Sequence, residues 1–178
     1  MHSRLSNQVL KPFGKFATGA DIYKIDEADG ISYIILTPPD SKEAIYFVQH
    51  VRVDPGDLAA IKAGRQIMVW REAMTDRASL STRFSTYVLF KMLLPKYKTI
   101  AADRQQTEYG KAFWERSLSR AFENKKHVYV LDHTTQQSKL TKYTSIGDIL
   151  ADTHKIWGKA HFFQKITPII STVPLDKQ

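Results

Sequence analysis

The stretch "AADRQQTEYGKAFWERSL" (Ala101–Leu118) gathers the side chains best suited to chemistry. Asp103, Arg104, Gln105 and Gln106 stand between a short apolar run and a helical stripe. A carboxylate can orient an amine, a guanidinium can hold phosphate or carboxylate, and the glutamines can meet an amide or a base edge. A strand end running into a helix is where α/β sheets place ligands. A second reading fits the same residues. Thr107 caps the helix, Glu108 favours its dipole, and the rest pack a loop. Both readings stand, although the polar run exceeds what one cap uses.

A second polar junction, "TDRASLST", precedes Phe84. Arg77, Ser79 and Ser81 can hold a phosphate at a helix N-terminus. Equally, Ser79 or Ser81 can accept a hydrogen bond from a free backbone N–H and act only as a cap. The remaining catalytic patterns are missing from the sequence. There is no Gly-x-Ser-x-Gly, no phosphate-binding glycine loop and no dinucleotide fingerprint. The six histidines are scattered. His127 and His133 share strand parity, but no His-x-x-x-His helix accompanies them, so no metal is expected. The absence of cysteine excludes disulfides, a thiol nucleophile and thiolate metal sites.

The balance of 26 basic and 18 acidic residues gives a formal charge of +8. Such a field favours an anionic partner: nucleic acid, a phosphorylated cofactor or an acidic protein. It also serves solubility alone. The densest basic cluster, Lys91, Lys96 and Lys98 around Pro95, is modest, and no arginine-rich arm or RNA-recognition aromatic motif appears. No apolar run is long enough to cross a bilayer and no signal peptide is visible, so the expectation is a cytoplasmic protein without a membrane partner.

These junctions need elements to hold them. Residues 1–19 read as an N-terminal arm and residues 20–178 as one domain. "DIYKI" (Asp21–Ile25) and "ISYIILT" (Ile31–Thr37) read as strands around the turn "DEADG". The second is apolar on both faces, as in a buried strand. "AIYFVQHVRV" (Ala44–Val53) alternates Ile45, Phe47, Val51 and Val53 against Tyr46, Val48, His50 and Arg52. Residues 54–64 read as a turn and short helix, and "RQIMVWREA" (Arg65–Ala73) as a fourth strand. Phe84, Tyr87, Val88 and Lys91–Met92 have helical spacing, with Pro95 expected to end that helix. "KTIAA" (Lys98–Ala102), a helix from Thr107, and "HVYVLD" (His127–Asp132) predict a parallel strand–helix–strand crossover. Tyr109, Phe113, Trp114, Leu118, Ala121 and Phe122 form the helix's apolar stripe. A short helix over residues 145–152 and a strand over residues 161–172, bent at Pro168, complete the chain. The expected class is α/β or α+β, with a single mixed central sheet built from an antiparallel meander followed by strand–helix–strand units.

This order resembles the GNAT superfamily of N-acetyltransferases. There a strand leads into a long helix whose N-terminus holds the pyrophosphate of acetyl-CoA, and a second strand–helix–strand unit follows. The combination of Asp103, Gln106, Thr107, Gly110 and Phe113–Trp114 is similar to GNAT-like proteins encoded in bacteriophage genomes, which implies the host cytoplasm. The resemblance implies acetyl-CoA as donor and an amine as acceptor. It makes the strand bearing Trp70 the cofactor strand, with Arg77, Ser79 and Ser81 at the pyrophosphate. It makes Glu72 the base that takes the amine's proton, and Tyr109 or Tyr97 the general acid. Asp103, Arg104, Gln105 and Gln106 would meet the substrate. One departure stands out. The family's cofactor loop runs Gln or Arg, two residues, Gly, any residue, Gly or Ala. Here Glu72–Arg83 holds Arg77 and Ala78 but no glycine, and Asp76 adds negative charge. The alternative function is therefore an inactive GNAT-like module that binds nucleic acid or a host protein through its basic surface.

Overall fold

The computed structural model describes residues 12–27, 30–39, 41, 43–52, 65–71, 79–103, 108–132, 138–151 and 166–175, with backbone alone over 65–71. The strands are β1 (Gly14–Lys15), β2 (Asp21–Asp26), β3 (Ile31–Thr37), β4 (Tyr46–Arg52), β5 (Arg65–Arg71), β6 (Thr99–Ala102), β7 (His127–Asp132), β8 (Lys139–Tyr143) and β9 (Ile166–Ser171). The helices are α1 (residues 84–97), α2 (Glu108–Glu123) and α3 (Ile146–Ala151). The class is mixed α+β, as the hydrophobic patterning requires. The chain divides into two compact units: Met1–Gln49 with Val69–Phe84, and His50–Met68 with Ser85–Gln178. The turn and helix expected over residues 54–64 lie outside the described residues.

In the first unit an antiparallel meander forms around two tight turns. Gly14 and Lys15 pair with Ile22 and Asp21. Gly19, at φ 86°, turns the chain between them, and its N–H donates to the Phe16 carbonyl at 2.9 Å. A cross-strand ion pair joins Lys15 to Asp21 at 3.1 Å. Gly30, at φ 82°, makes the next turn, and β2 then pairs with β3 from Asp21↔Thr37 to Asp26↔Ser32. The stretch expected as an arm thus carries β1 and buries Phe16. Residues 34–37 of β3 are all buried, as its two apolar faces predict. On β4, Tyr46, Val48 and His50 take the buried face, while Phe47, Gln49 and Val51 are half-buried. Phe84 is the centre of this core. Its ring meets Phe16 edge-on at 5.3 Å and Tyr46 at 5.5 Å, a geometry that the ring quadrupoles favour.

In the second unit β6 pairs in parallel with β5 and antiparallel with β9. β7 pairs antiparallel with both β9 and β8. β6 and β7 therefore run parallel, as the crossover reading expects, but β9 lies between them. Ala101, Tyr129, Leu131 and Ile169 share one face by register and form a buried cluster, with Leu140 and Leu175 packed against it. The Leu175 N–H donates to the Tyr129 hydroxyl at 2.9 Å. Helix α2 packs against β7 and β9. It buries Phe113, Trp114, Leu118 and Ala121, the three- and four-residue stripe. Ser117 joins that buried face because its hydroxyl donates to the Phe113 carbonyl at 2.8 Å.

Two expectations need correction, and one strand was not foreseen. Tyr109, assigned to the apolar stripe, is 89% exposed, and the buried face of α2 begins only at Phe113. Pro95 does not end α1, which continues to Tyr97. A π-helical segment, Val88–Leu93, precedes it, and the Leu94 N–H bonds the Leu89 carbonyl five residues back. With the ladder shifted by one residue, the donor that Pro95 lacks is not called on at the fourth position, and proline sits in the tolerated first turn of the next α segment. Lys98 closes the run instead. At φ 65° it is left-handed, and its N–H caps the Leu94 carbonyl at 2.9 Å. Finally, β8 belongs to the sheet although "KLTKY" carries too few apolar residues to announce a strand. Its exposed Lys139 and Lys142 are the kind of charge that keeps a sheet edge from pairing with another chain.

Candidate functional site: two strand-to-helix junctions

The junction after β6 is built from a wholly buried strand. All four residues, Thr99–Ala102, are covered, and Ile100, Ala101 and Ala102 pair with Arg65, Gln66 and Ile67 of β5. β5 itself continues to Arg71. Asp103 follows as a half-buried carboxylate. Arg104, Gln105 and Gln106, and the expected cap Thr107, lie outside the described residues. Helix α2 starts at Glu108, an acid in the favourable first turn. Tyr109 projects into solvent one residue later. The other tyrosine considered as an acid, Tyr97, is half-buried, with its ring 5.5 Å from that of His50 and the Lys96 ammonium 5.0 Å from its centroid.

At the opposite end of β6 a hydroxyl pair sets the strand's position. Thr99 and Ser171 are both buried and hydrogen-bond each other at 3.0 Å. The left-handed Lys98 presents its carbonyl to the Thr172 N–H at 2.8 Å. These bonds fix where β6 begins, and hence where Asp103 emerges.

The junction before α1, in the first unit, is a backbone construction. Residues 79–81 form a 3-10 turn, and the Thr82 N–H reaches the Ser79 carbonyl at 3.3 Å. The Thr18 hydroxyl donates to the Leu80 carbonyl at 2.9 Å, tying the turn to the β1–β2 hairpin. Ser79 is exposed and Ser81 is 6% exposed, so only the first of the two serines offers its side chain freely to a ligand in water. Arg83 is left-handed, at φ 64°, immediately before Phe84. A glycine is the usual solution there, and arginine carries a conformational cost of about 1–2 kcal/mol in its place. The first turn of α1 carries no acid. Glu72 and Arg77 lie outside the described residues, and Trp70 is known as a β5 backbone position.

Lys91, Lys96 and Lys98 are exposed, and the Arg120 guanidinium rests 5.8 Å from the centre of the Phe90 ring. One carboxylate is shifted. Hydrogen bonding to Ser145 first, and to Thr144 second, holds Asp148 below the usual aspartate range. The same bonds form the cap of α3, in which Ser145 Oγ accepts from the Asp148 N–H while Asp148 accepts from the Ser145 N–H, both at 3.1 Å. Among the described residues no group of three or more His, Asp or Glu could hold a metal ion. No helix among them is long and apolar enough to cross a membrane.

One buried group of the second unit was not foreseen from the sequence. Thr167 of β9 is fully buried beside Leu131, and among the described residues its hydroxyl has no hydrogen-bond partner. Nothing in "QKITPIIST" distinguishes it from a strand threonine before a proline. With this geometry in hand, comparison of the chain with protein-family models, curated proteins and solved structures gives no significant match.

Proposed function

We propose that the chain is a GNAT-like acyltransferase that moves an acetyl group from acetyl-CoA to an amine, and that it is phage-encoded. The observation that carries this reading is the parallel pair β5–β6, joined through α1 and followed by a second parallel step, β6–α2–β7. A meander comes first and two strand–helix–strand steps follow, the order that the resemblance calls for. In this scheme the pyrophosphate lies at the start of α1, where Ser79 is exposed and the first turn is free of acids. Glu72 takes a proton from the amine. The nitrogen attacks the thioester carbonyl, the C–S bond breaks, and Tyr109 protonates the departing CoA thiolate. Asp103, with Arg104, Gln105 and Gln106, orients the acceptor.

A second reading has its own observation. The turn before α1 uses Arg83 in a left-handed conformation where the family's loop is rich in glycine. A side chain at that point obstructs close backbone approach to a diphosphate. An inactive module that uses its +8 charge to bind nucleic acid or an acidic host protein fits that departure.

Calorimetric titration of acetyl-CoA separates the two. The enzyme reading expects saturable heat and release of free thiol in the presence of amines. Absence of binding at high protein concentration removes it. A mobility-shift assay with DNA and RNA at two salt concentrations addresses the other, which expects complexes that weaken steeply as salt rises.

A further inference from the structure

Two helix-to-strand turns of the second unit use lysine where glycine is the usual choice. Lys98, after α1, has φ 65°, and Lys125, after α2, has φ 53°. A side chain costs conformational energy at a positive φ, and glycine does not. The backbone of each turn is bonded without help from the lysine side chains. The Lys98 N–H donates to the Leu94 carbonyl at 2.9 Å, and the Lys125 and Lys126 N–H groups donate to the Phe122 and Ala121 carbonyls at 2.9 and 2.8 Å. Both turns enter the sheet at one edge. Thr99 and His127 each pair with Ser171, so β6 and β7 begin on either side of the end of β9. Two strand spacings, about 10 Å, separate them. The Thr172 N–H donates to the Lys98 carbonyl at 2.8 Å, which ties the first turn to that end of β9. Lys96, Lys98 and Lys125 are exposed and Lys126 is half-buried. Among the described residues none of these four forms an ion pair, the pairs present being Lys15–Asp21 and Lys24–Asp26. The described acids nearest the edge are Glu123, in the last turn of α2, and Asp148, whose carboxylate Ser145 and Thr144 already engage. Of the exposed large hydrophobic side chains described, Val173 adjoins the end of β9, and Tyr97 lies half-buried beneath the Lys96 ammonium. The edge therefore offers charge, without an open aromatic platform for unpaired bases or the aromatic anchor of a protein interface.

We infer that this basic edge docks the phosphate backbone of duplex nucleic acid. Lysine ammoniums suffice for such contacts, and the bases need not be reached. The inference rests on the nucleic-acid reading of the basic surface and gives that reading a location. Asp103 leaves β6 at the other end of the strand, so the edge is separate from the junction assigned to the acceptor.

The test uses the full chain and a fluorescein-labelled DNA duplex of about 20 base pairs, read by anisotropy at about 50 and about 200 mM salt. Lys98→Gln with Lys126→Gln is expected to weaken binding about tenfold at the lower salt and to reduce the slope of log affinity against log salt by about 2. Lys111→Gln with Lys139→Gln removes the same charge at the opposite edge, in the first turn of α2 and across from Asp132, and changes affinity by less than about twofold. Lys98→Gly with Lys125→Gly relieves both positive-φ positions. That variant should melt at a higher temperature and yet bind more weakly, so its loss of binding is not a loss of fold. Full-strength binding in Lys98→Gln with Lys126→Gln, or equal weakening in the two glutamine pairs, overturns the inference while the nucleic-acid reading survives. Tighter binding of the separated single strand, or of polyglutamate, also overturns it. Absence of duplex binding by the unaltered chain removes the inference and that reading together.

Discussion

The two strand-to-helix junctions are built by different means. Before α1 the chain turns through a 3-10 segment, buries Ser81 and forces Arg83 into a left-handed conformation, so the geometry is set by backbone. After β6, whose end carries two buried alanines, Asp103 emerges half-covered two residues past the last β6–β9 pair. The first junction limits what can approach its amides. The second leaves side-chain chemistry to decide what it accepts. A polar run at a helix start therefore says little about function until the backbone beneath it is known.

The largest effect expected is on chemistry at the first junction. Glu72→Gln lowers turnover by about 10²–10⁴-fold if Glu72 is the base, with acetyl-CoA affinity unchanged by calorimetry. Unchanged turnover would remove Glu72 from the mechanism. The two cores come next. Trp114→Ala costs about 3–5 kcal/mol in denaturant unfolding, and Phe84→Ala a similar amount, because each removes a buried aromatic from the centre of its own unit. Loss well below that in either variant would mean that its core collapses around the cavity.

Smaller effects run in the stabilising direction and sharpen the contrast between backbone and side chain. Thr167→Val gains about 1–2 kcal/mol by removing an unpaired hydroxyl. Arg83→Gly gains up to about 1 kcal/mol by relieving the left-handed conformation. If backbone access limits cofactor binding, Arg83→Gly also tightens acetyl-CoA, whereas Thr167→Val leaves it alone. The smallest effect is at the cap of α3. The Asp148 pKa is lower in the folded chain, so its contribution is present above the unfolded aspartate pKa and is lost as pH falls through the folded value. Asp148→Asn should lower neutral stability slightly, leave stability at low pH unchanged, and so flatten the acid limb of the stability profile. An unaltered acid limb would show that the cap does not titrate.

Some elements were legible because local pattern and burial coincide. The two-faced apolar run of β3 and the short apolar run of β7 appear with the bounds expected, and the stripe of α2 buries Phe113, Trp114 and Leu118. Others were illegible because neighbours decide them. Tyr109 has stripe spacing but no surface to cover it. Pro95 reads as a stop until the π-helical shift removes the need for its donor. β8 is held by pairing with β7 and not by its own hydrophobicity. Of the described candidate residues, the sequence singled out Ser79, Ser81, Asp103 and Tyr109, while the buried hydroxyl of Thr167 became visible only in the fold.

Composition and periodicity by themselves determined the α+β class, the positive charge, the strands β3 and β7 and the buried face of α2, because each depends on residues close together in the chain. Tertiary structure decided that β9 enters between β6 and β7, that its ladder with β6 stops at Ala101↔Ile169, beside Pro168, and that Thr167 is buried opposite Leu131. Those outcomes depend on register between strands far apart in sequence. Register is set by which faces are buried and where a backbone donor is missing, and neither is written in a local run of residues.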